Sequence, residues 1–285
     1  MNCYLCSSTS FEQIKRSVRD NAELLVIKCK KCGLVTLNSF NHIDEKFYEN
    51  SNMHSSKIEI SNWLKETEKD DNRRFLYLQD KIKNKSVLDF GSGNGGFLFK
   101  AREISKKAVG IEPEKQFKSF FKKNQLKVIN SVKELEGQTF DIITAFHVFE
   151  HLKDPLETLK ALKSHIVDEG DIIIEVPNSD DALLSFYNSN AFSDSTYWSQ
   201  HLFLFNEKTL TDLIQKSGFK INYIDQIQRY PLSNHLYWLS KGLPNGQNKY
   251  SIFNDEMLNK EYIKILKNEK ICDTLLISVK KERTI

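Results

Sequence analysis

Short apolar runs alternate with longer amphipathic runs along the chain from about residue 85 onward. Runs rich in valine, isoleucine and phenylalanine predict strands, and apolar residues at every third or fourth position predict helices. The predicted strands are 86–90, 108–112, 127–130, 140–146, 171–176, 219–227 and 273–281. The predicted helices are 94–107, 113–126, 154–166 and 206–218. Strands that alternate with helices in this way predict a doubly wound α/β fold with a mostly parallel sheet.

The pattern divides the chain into three zones. Residues 1–40 carry four of the five cysteines, 41–84 form a polar, predicted helical linker or cap, and 85–285 form the α/β domain. Two stretches, 177–205 and 228–270, break the alternation and are predicted insertions. They follow strands at the carboxyl edge of the sheet, where such folds bind ligands. We therefore expect them to cover the substrate.

Composition and charge exclude some classes of protein. The 285 residues include 41 basic and 38 acidic side chains, for a net charge of +3. This balance is too mild to indicate a nucleic-acid or membrane-surface protein. No apolar run reaches the roughly 18 residues that a membrane span needs, and the first residues do not resemble a secretion signal. We expect a cytoplasmic protein without a membrane span.

Four cysteines form two C-x2-C pairs near the start of the chain, at Cys3, Cys6, Cys29 and Cys32. In a reducing compartment, paired cysteines indicate a metal before a disulfide. Four thiolates complete the tetrahedral shell of Zn²⁺ and leave no open position for catalysis. The spacing therefore predicts a structural zinc. Four unrelated buried thiols, or a redox pair, would not explain why the cysteines come in two matched pairs.

A glycine-rich turn follows the first strand of the α/β domain, in the pattern D-x-G-x-G-x-G from Asp89 to Gly95. Glycines permit positive φ and let a ligand approach the bare backbone. Glu112 ends the next strand, where a carboxylate accepts hydrogen bonds from ribose hydroxyls. By themselves these residues fit NAD and S-adenosylmethionine equally well. Taken one at a time, they also fit a tight turn and a surface charge.

Four motifs occur in a characteristic order: VLDFGSGNGGF, VGIEP, FDIITAFHVFEHLKDP and GDIIIEVPN. Over residues 75–227 the chain resembles the class I S-adenosylmethionine-dependent methyltransferases. The resemblance implies a Rossmann-like, seven-stranded sheet whose last strand is antiparallel, with S-adenosylmethionine over the glycine turn. Asn130-Ser131 departs from the aspartate of many members, which weakens the implied adenine contact. The implied cofactor-binding residues are Asp89, Phe90, Gly91, Ser92, Gly93, Gly95, Glu112, Pro113, Asn130, Ser131, Val132, Phe146 and His147.

A histidine cluster, His147-Val148-Phe149-Glu150-His151, follows the fourth strand of the domain. As H-x-x-E-H it matches an inverted zinc-protease motif, but that motif requires a helix, whereas this segment ends a strand. In the methyltransferase family the end of this strand lies beside the sulfonium. His147 is then a general base or orients the acceptor, or it shapes the pocket only through its backbone. Glu150 and His151 would fix the loop. The candidate bases are His147, His151, His201 and His235.

The acceptor is predicted from resemblance alone. A four-cysteine module and the segment 228–247 resemble the methyltransferases of deoxysugar and surface-polysaccharide pathways. The sugar carbon methyltransferases carry a further C-terminal domain, so the expectation is O-methylation of a sugar, a sugar nucleotide or a capsular polysaccharide precursor, with a phosphate-linked group included. We expect no nucleic-acid partner.

Two other functions remain open. The first is an RNA methyltransferase whose zinc module grips the nucleic acid, since residues 1–40 carry a basic excess. The second is a non-catalytic binding protein on a methyltransferase scaffold, which the intact glycines and Glu112 disfavour.

Overall fold

The computed structural model describes residues 1–44, 47–49 and 59–282. The strands are β1 (Phe11–Lys15), β2 (Val26–Cys29), β3 (Val35–Leu37), β4 (Ser86–Phe90), β5 (Lys107–Ile111), β6 (Val128–Ile129), β7 (Phe140–Phe146), β8 (Ile166–Pro177), β9 (Phe203–Leu204), β10 (Phe219–Ile227) and β11 (Thr274–Lys281). The α-helices are α1 (Ile60–Ile82), α2 (Gly96–Ala101), α3 (Lys118–Lys123), α4 (Pro155–Lys163), α5 (Ala182–Ser185), α6 (Asn190–Thr196), α7 (Glu207–Lys216), α8 (Leu232–Lys241), α9 (Gly246–Lys249) and α10 (Glu256–Asn268). The predicted cap 41–84 falls partly on residues 45–46 and 50–58, which lie outside the described residues.

Seven strands form the main sheet, in the order β10-β11-β8-β7-β4-β5-β6. The neighbouring pairs from β8 to β6 are parallel, and β11 is antiparallel to both of its neighbours. The apolar residues of β7, β8 and β11 are almost completely buried, as expected for central strands with helices on both faces. The predicted Rossmann-like fold with an antiparallel last strand is confirmed.

Element boundaries differ from the prediction mainly where a helix must turn back to the sheet. The helix expected at 94–107 ends at Ala101, because the chain turns through Ser105 to start β5 at Lys107. The helix expected at 113–126 begins as a 3-10 turn and is α-helical only over α3. Strand β8 begins five positions earlier than expected, at Ile166, which pairs with Phe140 across an irregularity in register. Within the described residues, no helix is both long and apolar enough to cross a bilayer.

Helix α1 packs on α2 and holds the glycine turn from outside the sheet. The Thr67 hydroxyl donates to Asp71 Oδ2 at 2.8 Å and accepts from Asn94 Nδ2 at 2.9 Å. Asn94 Oδ1 in turn accepts from the backbone N–H of Gly96 at 2.9 Å. This chain of hydrogen bonds fixes the start of α2, where the helix has no side-chain cap of its own.

The N-terminal residues form a second sheet, in the order β1-β2-β3-β9. Its fourth strand, β9, comes from the predicted insertion 177–205. Val35 pairs with Leu204, and the buried Thr36 hydroxyl donates to the carbonyl of Leu202 at 2.8 Å. Buried side chains of this sheet and of the main sheet belong to one continuous core. The insertion therefore joins the cysteine-bearing module to the α/β domain, and the boundaries at residues 40 and 84 stay predictions.

Candidate active site

The glycine turn between β4 and α2 has the backbone conformation that its sequence predicts. Gly91, Gly93 and Gly95 have φ of 77°, 53° and 80°, a region that other residues rarely adopt. A Cβ atom on Gly91 would lie 2.4 Å from Cγ2 of Val148. The turn therefore requires glycine for both its conformation and its space, and it presents bare backbone at the carboxyl edge of the sheet. Such a surface fits a cofactor that lies across the strand ends.

The Glu112 carboxylate lies against this turn. Its Oε2 accepts from the N–H of Gly93 at 2.8 Å and its Oε1 from the N–H of Glu114 at 3.0 Å. Burial raises the pKa of Glu112 to about 7, although these two N–H groups act to lower it. The carboxyl group is thus directed at the turn, where ribose hydroxyls of a bound nucleoside would meet it.

Other residues predicted to bind the cofactor support the turn. Asp89 is buried and accepts from the Thr144 hydroxyl at 2.7 Å, and burial raises its pKa to about 7. The Ser92 hydroxyl donates to the Asp89 carbonyl at 3.1 Å. Phe146 is the last residue of β7, and its ring packs edge-on against the ring of Phe97, with the centroids 5.0 Å apart. Phe90 ends β4, Pro113 follows β5, and Asn130, Ser131 and Val132 follow β6 at the same edge of the sheet.

His147 lies between two buried carboxylates, in a left-handed conformation with φ of 55°. Its Nδ1 is 3.1 Å from Glu150 Oε1, and its Nε2 is 3.3 Å from Glu175 Oε1. Burial and the nearby Arg229 act to lower its pKa, but the hydrogen bonds to the two carboxylates outweigh them and the pKa is raised. His147 therefore retains its proton more readily than a free histidine does.

Glu175 is the centre of an ion-pair network that the sequence analysis missed. Its side chain is 0% exposed and meets Arg74 Nη2 at 2.6 Å and Arg73 Nη1 at 3.0 Å. Burial raises the pKa of Glu175, but Arg74, His147 and Arg73 outweigh it and hold the pKa well below its usual range. A glutamate inside the apolar run GDIIIEVP was the signal that could have found it, because a buried charge needs a partner.

His151 and His201 lie side by side, with ring centroids 5.1 Å apart. His151 Nδ1 is 2.8 Å from the carbonyl of Gln200, and His201 Nδ1 is 3.2 Å from the carbonyl of Thr196. Burial lowers the pKa of both, to about 3 for His201, so both rings are neutral at pH 7. The structure thus brings together three of the four predicted histidines.

The fourth predicted histidine, His235, belongs to α8. It is buried, with Nδ1 2.7 Å from the Tyr262 hydroxyl and Nε2 3.1 Å from Gln228 Nε2. Burial lowers its pKa to about 4. Both of its ring nitrogens are already engaged by neighbouring side chains.

A cavity of about 420 Å³ lies beside His147. The two predicted insertions provide most of its wall, including the indole rings of Trp198 and Trp238. The N-terminal module contributes Arg19, whose guanidinium lies over the Trp198 ring, 4.3 Å from its centroid. All four predicted histidines line this cavity. It is the space in which an acceptor would meet the end of the cofactor site.

The four N-terminal cysteines converge on one point, and all are free thiols. The Sγ atoms of Cys3 and Cys32 are 3.5 Å apart, and so are those of Cys6 and Cys29. Sulfur atoms around tetrahedral zinc lie about 3.8 Å apart. Burial acts to raise the pKa of Cys29, but backbone N–H groups and neighbouring sulfurs lower it to about 6. These residues could hold a zinc ion with little rearrangement.

The fold and the glycine turn together define a S-adenosylmethionine-dependent methyltransferase. Residues 64–224, more than half of the chain, match the model of a family described as a methyltransferase domain. The chain belongs to this family. A solved structure of a SAM-dependent methyltransferase from Archaeoglobus fulgidus shares the fold, with a TM-score of 0.50 and 20% identity over 74% of this chain and 92% of that one. The predicted enzyme class and its cofactor are confirmed.

Curated relatives contradict the predicted acceptor. Proteins named tRNA U34 carboxymethyltransferase are similar to this chain, at 33% identity over 112 residues in Dichelobacter nodosus and 30% over 159 residues in Campylobacter fetus. These matches cover 36% and 51% of this chain, and 36% and 53% of the relatives, so the chain spans about half of their length or less.

The predicted sugar, sugar-nucleotide and capsular acceptors, and the expected lack of a nucleic-acid partner, are therefore wrong. The aromatic segment 228–247 led to the wrong acceptor because its rings pack against other side chains of the protein. Trp238 meets Phe192 edge-on at 5.3 Å, and Tyr237 meets Tyr250 at 5.1 Å.

Proposed function

We propose that this protein transfers a methyl group from S-adenosylmethionine to a nucleotide of a transfer RNA. The names of the curated relatives support this class of acceptor. The structural observation that supports it is the cavity beside His147, where an arginine of the N-terminal module covers a tryptophan of the methyltransferase domain.

The cavity suits one extruded base. Enzymes that modify a base remove it from its stack and hold it between aromatic or apolar side chains. RNA-binding proteins likewise stack unpaired bases on aromatic rings and on arginine guanidinium planes. Trp198 and Arg19 offer both kinds of surface on one wall of the cavity. A volume of about 420 Å³ is ample for a nucleoside.

The charge of the N-terminal module suits an RNA backbone. Residues 1–40 carry six basic side chains, Lys15, Arg16, Arg19, Lys28, Lys30 and Lys31. The same residues carry three acidic side chains, Glu12, Asp20 and Glu23. Lys30 and Lys31 are exposed and form no ion pair with any side chain of the described ranges. Lysines in this state are available for phosphate contacts, which supply most of the affinity of non-specific RNA binding.

The cofactor would lie over Gly91–Gly95, with its ribose hydroxyls on Glu112. S-adenosylmethionine supplies an activated methyl group on a positive sulfur. Asp89 and Ser92 hold the turn in place. The remaining predicted contacts, Phe90, Pro113, Asn130, Ser131, Val132 and Phe146, border the same edge and complete the proposed pocket.

His147 would orient groups at the methyl-transfer point. Its proton is shared with Glu150 and Glu175, so the ring is held in one position beside the cavity. Orientation of the acceptor is the main task of a methyltransferase, because the sulfonium is already a good leaving group.

The four cysteines would hold one structural zinc. With all four ligands from the protein, the ion has no open position and serves to stabilise the module. This zinc would fix the knuckle that carries Lys30 and Lys31, which lie between the ligands Cys29 and Cys32. Zinc thereby gives the proposed RNA-binding surface its shape.

The test is methyl transfer to unmodified transfer RNA transcripts, with radiolabelled S-adenosylmethionine and nucleoside mass spectrometry. Sugar nucleotides serve as the alternative acceptors. We expect label in a single nucleoside and none in the sugars. The proposal fails if no transfer RNA in a complete transcript set accepts label.

RNA binding is measured separately, as a function of salt. The double variant Lys30→Ala/Lys31→Ala should bind transfer RNA several-fold more weakly, with a salt slope smaller by about 1.4–1.8. The matched control, Lys122→Ala/Lys123→Ala, removes an adjacent exposed lysine pair from the end of α3 and should change neither. Equal loss in both variants would contradict the role of the module, and zinc content checks that the knuckle is intact.

A further inference from the structure

Three potential metal ligands meet on the cavity wall, apart from the cysteine cluster. They are Glu150, His151 and His201, whose nearest ligand atoms all lie within 4.8 Å of one another. Glu150 and His151 belong to the 3-10 turn after β7, and His201 comes from the segment just before β9. The cluster therefore depends on two segments that tertiary structure brings together.

Both histidines are held with one ring nitrogen available. The Nδ1 of His151 and of His201 each lies at a backbone carbonyl oxygen, which can only accept a hydrogen bond. Each Nδ1 therefore carries the proton, and each Nε2 has a free lone pair. Metal-binding histidines are typically fixed in this way, by donating the other ring N–H to a carbonyl or carboxylate.

Glu150 provides the independent indication of a ligand. Its side chain is 0% exposed, and Oε1 accepts from His147 Nδ1 at 3.1 Å. Its other oxygen, Oε2, is buried and has no hydrogen-bond partner among the described residues. An unsatisfied buried carboxylate oxygen is costly, and buried polar groups of native proteins are nearly always paired. A cation bound by this carboxylate would satisfy it, and Oε1 of the same carboxylate lies 3.9 Å from Nε2 of His151.

We propose that Glu150, His151 and His201 bind a divalent transition-metal ion on the wall of the cavity. Two imidazoles and one carboxylate form the ligand set of catalytic zinc sites and of non-haem iron sites, both of which keep open positions. Ligand atoms around tetrahedral zinc lie about 3.4 Å apart, so the cluster would contract slightly on binding.

His147 is not a ligand of this site, because both of its ring nitrogens already face Glu150 and Glu175. The set thus differs from that of the inverted protease motif, which uses both histidines of H-x-x-E-H. The open coordination positions of the ion face the cavity. They can take an oxygen or nitrogen atom of the acceptor, a role that rests on the proposed function, whereas the metal site itself does not.

The test is a Co²⁺ titration of the purified full-length protein whose cysteine module has first been loaded with one zinc. Binding is followed by native mass spectrometry and visible absorption, in the absence of RNA. We expect one cobalt per chain, with the bands of nitrogen and oxygen ligation and no thiolate charge transfer. His201→Ala and Glu150→Gln should each weaken binding by at least about tenfold. The matched control is His165→Ala, since His165 Nδ1 also lies at a backbone carbonyl but outside the cavity.

Thermal unfolding of each variant without added metal identifies any variant that fails to fold. If His201→Ala fails to fold, the more conservative Glu150→Gln still tests the proposal. The proposal is overturned if cobalt binds the wild type no more tightly than the folded variants. It is also overturned if the only cobalt spectrum is that of thiolate ligation. Because the assay contains no RNA, its result is independent of which acceptor the enzyme uses.

Discussion

Replacement of Glu175 by glutamine is the sharpest test of the buried ion-pair network. The change keeps the shape of the side chain and removes its charge. It leaves the guanidinium groups of Arg73 and Arg74, and the ring of His147, facing a neutral amide in the protein interior. Loss of one partner from a buried ion pair typically costs 3–5 kcal/mol, because the remaining charge is desolvated without compensation.

The structure places this substitution near the lower end of that range. Arg73 keeps a contact to Asp70 at 3.3 Å, and Arg74 keeps one to Asp71 at 3.6 Å. We therefore expect a loss of about 3 kcal/mol in the free energy of unfolding at pH 7. For a protein of this size, the thermal midpoint should fall by roughly 5 °C. The loss should shrink as pH falls below about 4, because the lowered pKa of Glu175 stabilises the native state only while the unfolded carboxyl is ionised.

Urea and thermal unfolding of the wild type and the variant measure this loss. The control is Glu157→Gln, which removes an exposed ion pair to Lys160 at 2.7 Å. Exposed pairs contribute less than about 1 kcal/mol, so the control should unfold close to the wild type. If Glu175→Gln is as stable as Glu157→Gln, the network does not stabilise the fold and the reasoning from burial is wrong.

Four further predictions concern the cofactor, the acceptor site, the module and pH. Glu112→Ala should weaken S-adenosylmethionine binding by about tenfold or more in calorimetry without lowering the thermal midpoint, and unchanged affinity would contradict the ribose contact. His147→Ala should reduce turnover far more than cofactor affinity, and equal effects on both would show a role in cofactor binding only. Cys29→Ser should release one zinc per chain and lower the thermal midpoint, whereas retained zinc would mean that the cysteines are not its ligands. Because burial raises the pKa of Asp89 to about 7, the native carboxyl stays protonated while the unfolded one ionises, so stability falls as pH rises from about 4 to about 7. Between pH 5 and pH 8 the free energy of unfolding of the wild type should therefore fall by about 3 kcal/mol relative to that of Asp89→Asn. If the urea midpoints of the two proteins differ by the same amount at both pH values, this prediction is wrong.

Local spacing along the chain predicted the fold, the cofactor turn and the cysteine cluster. Alternating strands and helices leave one compact arrangement, in which the carboxyl ends of the strands share an edge. Gly91, Gly93 and Gly95 are required by backbone geometry within a single turn, and each C-x2-C pair folds as one knuckle. These features depend on near neighbours, so the sequence alone indicates them. The acceptor was predicted wrongly, because aromatic residues such as Trp238 look the same in a sequence whether they bind a ligand or pack in a core.

Tertiary structure alone decided which distant residues meet. Glu175 pairs with Arg73 across 102 positions, and Thr36 bonds to Leu202 across 166, which makes β9 part of the N-terminal sheet. The proposed metal site needs His201 beside Glu150 and His151, and no spacing rule links them. A buried charge or an unprotonated imidazole nitrogen is stabilised by the residue that the packed fold places beside it. That partner is set by the topology of the whole fold, so it cannot be predicted from the residues adjacent in sequence.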